Sequence, residues 1–63
     1  MKTGTIFTAT DKLKTTYKYR LDDIQPNDTS CEFKLWNLTN NTLTEVEAEW
    51  FRQRKINIIK EED

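Results

Sequence analysis

Histidine is absent from this chain, and cysteine, glycine, proline and methionine occur once each. Without histidine there is no side chain that ordinarily exchanges a proton near neutral pH, and no Ser-His or Cys-His pair to activate a nucleophile. A lone cysteine, Cys31, forms no disulfide within the chain, and a zinc site of Cys and His ligands has nothing to be built from. The single glycine, Gly4, excludes the usual Gly-rich phosphate loop. Asp22 and Asp23 are adjacent, which in a regular strand sends their carboxylates to opposite faces, and with Asp28 they lack the spacing of a calcium loop. The chain therefore reads as non-enzymatic, with no metal and no cofactor. No apolar run approaches the roughly 20 residues of a membrane span, and Met1 to Leu13 lacks the apolar centre of a secretory signal. The expected location is the cytoplasm, where an unpaired thiol is ordinary.

What remains is a polar, aromatic-containing chain of 63 residues, 33% charged and 35% hydrophobic, with a net charge of −1 and seven aromatic rings. That balance favours folding over disorder. Residues 1–63 suit one small domain, and a chain of this size buries only about 60% of the surface it exposes when unfolded. With neither disulfide nor metal to staple it, a tidy core, a homodimer or a permanent partner must supply the missing stability. Charge is segregated: five bases and one acid in residues 1–20, one base and seven acids in 21–50, four bases and three acids in 51–63. The triplets Asn27-Asp28-Thr29, Asn37-Leu38-Thr39 and Asn40-Asn41-Thr42 match a glycosylation sequon but read as turns in a chain without a secretory signal.

Turn punctuation falls at Gly4, Asp11-Lys12, Gln25-Pro26-Asn27-Asp28 and Thr39-Asn40-Asn41-Thr42, and the segments between alternate with period two. Thr3 to Ala9 opens the set. Thr15, Tyr17, Tyr19 and Leu21 share one face, as do Cys31, Phe33 and Leu35. Glu45-Val46-Glu47-Ala48-Glu49-Trp50 alternates as a strand, although Thr44 and Glu47 also fit a helix capping box. The pattern predicts a strand to about Glu49, a helical turn around Trp50 to Arg54, and a last strand from Lys55 to Lys60, with residues 61–63 a frayed acidic tail. The expected fold is all-β: a five-stranded antiparallel meander or SH3-like barrel with one helical turn before the last strand. The alternative is a four-stranded sheet with a helix over about 45–55.

Function is expected to lie in binding. Trp36 shares the polar parity of Glu32 and Lys34, so an indole stands on the outer face as a contact anchor, or is covered if a bulge shifts the register. Trp50 is expected in the core and Phe51 nearer the surface, with Arg52, Arg54 and Lys55 forming a basic rim beside it. Trp36, Phe51, Arg52, Arg54 and Lys55 are thus the candidate contacts of a protein partner. The expectation is a small accessory or inhibitor protein of the kind phages and mobile elements carry. A second reading places Lys18, Arg20, Lys34 and Trp36 on one face as a nucleic-acid surface, opposed by Glu32 and by a pI near 5.4.

Overall fold

The computed structural model describes residues 1–26 and 31–61. The elements are β1 (Ile6–Thr10), β2 (Thr16–Pro26), β3 (Cys31–Asn37), β4 (Thr42–Glu47), α1 (Ala48–Arg52) and β5 (Lys55–Lys60). The five strands form one antiparallel sheet in the order β4-β3-β2-β1-β5, so the last strand returns to lie beside the first. The expected five strands and the helical turn before the last are all present. Among the described residues, no helix is long and apolar enough to cross a membrane.

Short polar side chains make the turns. Between β1 and β2, the Asp11 carboxylate accepts from the Leu13 and Thr15 amides at 2.9 and 3.0 Å, and Lys14 takes the left-handed conformation that closes the loop (φ 64°). Between β3 and β4, the Asn37 side-chain oxygen accepts from the Thr39 and Asn40 amides, both at 2.9 Å. Asn41 is left-handed there (φ 56°), a conformation asparagine tolerates. The turn expected at Gln25–Asp28 does not begin at Gln25: β2 continues through Pro26, which faces Cys31. Asn27, Asp28 and Thr29, with their turn, sequon and calcium readings, lie outside the described residues, as do Glu62 and Asp63.

Strand β1 starts later than expected, at Ile6, because Lys2 to Thr5 form a turn with Gly4 at φ 91°. That turn is pinned to β2 by the Gly4 amide on the Leu21 carbonyl (2.7 Å) and the Leu21 amide on the Thr5 carbonyl (2.9 Å).

The inner face carries the core: Phe7, Ala9, Tyr19, Leu21, Leu35 and Val46 are buried. The predicted inward row of β3 is graded, with Leu35 buried and Phe33 and Cys31 half-buried toward the strand's beginning. In β2 the alternation changes phase. Leu21 faces Leu35 and Asp23 faces Lys34, leaving Asp22 as an extra residue in a β-bulge. Tyr17, Tyr19 and Leu21 thus point inward at odd positions, and Ile24, opposite Phe33, at an even one. The bulge corrects the expectation for the two aspartates, which share the outer side: Asp22 pairs with Arg20 at 2.6 Å, and Asp23 accepts from the Gln25 amide group at 3.1 Å.

The strand predicted to reach Glu49 ends at Glu47, and Ala48 and Glu49 are helical. Thr44 lies inside β4, and no side-chain hydrogen bond caps the helix, so the capping box is not formed. A helical turn presents neighbouring residues at about 100° to each other rather than on opposite faces, which overturns the division of Trp50 inside and Phe51 outside. Both are half-buried and both pack on the core. Trp50 meets Tyr19 edge-on at 5.2 Å and Phe7 at 6.5 Å. Phe51 meets Phe33 at 4.9 Å and Phe7 at 5.9 Å.

Two measurements check this packing. Trp50→Ala should cost about 3 kcal/mol in denaturant melts and Trp36→Ala about 1 kcal/mol, because only the first ring packs on the central aromatic cluster. Burial pushes the Tyr19 phenol above its ordinary 10, with Arg54 pulling partly the other way. As pH rises past about 10 the unfolded chain loses that proton first, so stability falls there and is untouched below. Tyr19→Phe should remove this part of the alkaline loss, and an unchanged slope between about pH 9 and about pH 11 would contradict it.

Candidate protein-binding surfaces

Four elements bring apolar side chains together at one margin of the inner face. The Gly4 turn directs the chain start toward the core, β3 contributes Phe33, α1 contributes Phe51 and β5 contributes Ile56. With Met1 these line an open apolar groove of about 370 Å³. Apolar concavities of roughly 300–1,000 Å³ are the ordinary setting for bound side chains and small ligands. The groove lies beside β5, an edge strand of the sheet; among the described residues no strand pairs with its outer side. Ile58 faces Phe7, and so shares the inner face, yet is 47% exposed. Ile59 is the extra residue of a second bulge and is 53% exposed. Half-exposed isoleucines on an unpaired edge form an apolar margin that a monomer leaves in water.

The basic corner after α1 differs from the rim expected of it. Arg54 lies over the Trp50 ring at 4.4 Å and donates to the Trp50 carbonyl oxygen at 3.2 Å. Its guanidinium thus closes the C-terminal end of the helix and holds the indole. Arg52 pairs with Glu49 at 2.9 Å, both largely in solvent, a contact of little energetic weight. Lys55 is exposed at the start of β5, opposite Thr10. Phe51, expected as a surface contact, is a wall of the groove.

On the outer face, the register brings Leu43, Trp36, Arg20, Ile6 and Lys60 into one row across all five strands. Trp36 stands on this face as its parity predicted, half-buried between Leu43 and Arg20; Leu43 is 53% exposed. Lys18, Arg20, Lys34 and Trp36 do share the face. So do Asp22, Asp23, Glu32, Glu45 and Glu47. Asp22 holds the Arg20 guanidinium charged by hydrogen bond and Coulomb attraction, raising its pKa. Lys34 stands between Asp23 and Glu45, and Glu32 faces Glu47 directly.

Sequence reasoning missed Met1, Phe33 and Ile56 as groove residues. The available signal was Ile56-Asn57-Ile58-Ile59, more apolar than a terminal edge strand needs to be. No family model, no curated protein and no solved structure matches this chain.

Arg54→Ala should cost about 1–2 kcal/mol, with a change in the tryptophan fluorescence of the folded protein, and Arg54→Lys should recover part of it through the remaining cation. Equal stability of all three proteins would show that the guanidinium over the indole contributes nothing.

Proposed function

We propose that this chain is a small non-enzymatic protein-binding module, of accessory or inhibitor type and SH3-like in layout, that takes apolar side chains of a partner protein into the groove between β3, α1 and β5. The observation that carries this reading is the groove of Met1, Phe33, Phe51 and Ile56 opening beside an unpaired strand edge with half-exposed Ile58 and Ile59. An apolar concavity next to free backbone donors and acceptors offers a partner both burial and directional hydrogen bonds. Trp36 and Leu43, on the opposite face, are a secondary contact.

The second reading, nucleic-acid binding by Lys18, Arg20, Lys34 and Trp36, is favoured by their shared face and opposed by the five carboxylates among them. A phosphate backbone approaching that surface meets Glu32, Glu45 and Glu47 at close range.

Affinity capture from lysate of the source cells, with and without nuclease, separates the two. Protein binding predicts a defined partner that survives nuclease, is lost with Ile58→Glu and is kept with Lys18→Ala. Loss on nuclease treatment, or on neutralising Lys18 and Lys34 but not on Ile58→Glu, would replace the groove reading with the outer-face one.

A further inference from the structure

We infer that the turn between β1 and β2 docks on an anionic phospholipid surface, with Leu13 entering the headgroup layer and the lysines around it meeting the lipid phosphates. Leu13 is 87% exposed, the most exposed large hydrophobic side chain among the described residues, and it stands between Lys12 and Lys14. The turn that presents it is built: the Asp11 carboxylate accepts from the Leu13 and Thr15 amides at 2.9 and 3.0 Å, and the Asp11 carbonyl accepts from the Lys14 amide at 3.0 Å. A lone exposed leucine is ordinary on a folded chain. This one is set apart by the charge around it.

The ladders align Thr8, Lys18 and Asn57 in one row across the sheet and Thr10, Thr16 and Lys55 in the next, with the β1–β2 turn beyond. The β3–β4 turn lies at the same end, where the Leu38 amide donates to the Lys18 carbonyl at 2.7 Å. Lys12, Lys14, Lys18 and Lys55 are all exposed there, with Arg54 next to Lys55. Among the described residues the acid of this end is Asp11, whose carboxylate is engaged by the turn amides. Asp22, Asp23, Glu32, Glu45 and Glu47 belong to the other half of the sheet, on the far side of the row that joins Phe7, Tyr19 and Asn37. A chain of net charge −1 thus has a basic end, and it can approach an anionic surface by that end.

Shape selects lipid over other anions. A nucleic acid would satisfy the lysines, but the tip offers its bases an aliphatic chain instead of a ring, and Tyr17 nearby is half-buried on the inner face. A single leucine is also too little for the apolar centre of a protein interface. A bilayer carries negative charge at its surface and hydrocarbon beneath, and long lysine stems let their ammonium groups stay at the phosphates while Leu13 goes deeper. Each lysine brought to such a surface strengthens binding by about fivefold, so the contact is reversible.

The test is flotation of the full chain with vesicles of phosphatidylcholine and phosphatidylserine in equal parts, against vesicles of phosphatidylcholine alone. The chain should float with the first and not the second, and should be released at about 1 M salt, where charges are screened beyond about 3 Å. Leu13→Ser should weaken binding by about tenfold. Lys12→Gln combined with Lys14→Asn should weaken it by about thirtyfold; asparagine keeps the left-handed conformation that Lys14 adopts. These positions are exposed, and unchanged circular dichroism would confirm that each variant is folded. No flotation with the anionic vesicles overturns the proposal. So does equal binding of the Leu13→Ser variant, or binding of polyglutamate or a single-stranded oligonucleotide as tight as that of the vesicles, since either would make this end a general polyanion site. Salt-sensitive self-association of the chain, lost in the double lysine variant, would give the basic end to the acidic end of a second copy and also overturns it.

Discussion

The Phe7 ring joins helix α1 to the sheet. It is fully buried, stacked on Tyr19 at 5.6 Å and in contact with both Trp50 and Phe51. Helix α1 has five residues, no side-chain cap and no buried residue of its own. A helix so short has no independent stability, so it exists because its two rings close over Phe7. The groove wall at Phe51 and the Arg54 guanidinium over Trp50 depend on that closure in turn. Aromatic contacts of this kind add to simple burial, which matters where the buried core among the described residues is six side chains.

The two faces of the sheet are differently committed. The inner face carries the apolar core, and at its β5 margin Ile58 is left half exposed. On the outer face, acids and bases are interleaved: Arg20 is held by Asp22, Lys34 lies between Asp23 and Glu45, and Glu32 and Glu47 repel across β3 and β4. A surface so close to neutral has little long-range pull on a polyanion, whereas the groove and its edge act at contact distance.

Period-two alternation was legible wherever a strand runs without interruption. Tyr17, Tyr19 and Leu21, then Phe33 and Leu35, could be placed inward from the sequence, and Trp36 outward. Alternation failed at two places for physical reasons. At Glu47 the pattern continues as Ala48-Glu49-Trp50, but the chain must leave the β4 edge for the β5 edge on the far side of the sheet, and a helical turn lets both Trp50 and Phe51 pack on the way. At Asp22 the extra residue is invisible to composition, since Asp-Asp suits an outer face in either phase. The groove was not legible because Met1, Phe33 and the stretch holding Phe51 and Ile56 lie far apart in the chain, and it takes the ladders of β3 with β2, β2 with β1 and β1 with β5 to bring them together.

The bulge at Asp22 also sets which changes of chain length the fold can absorb. An ordinary strand position cannot be removed without inverting every side chain beyond it. Within the stretch of β2 that pairs with β3, Tyr19 to Pro26, Asp22 is the one residue without a counterpart, so its deletion leaves Asp23 opposite Lys34 and Ile24 opposite Phe33. Arg20 then loses its ion pair, but no apolar residue changes sides. Among related chains, single-residue gaps in this strand belong at that position. An alignment that puts them elsewhere will match the buried residues of one chain with the exposed residues of another.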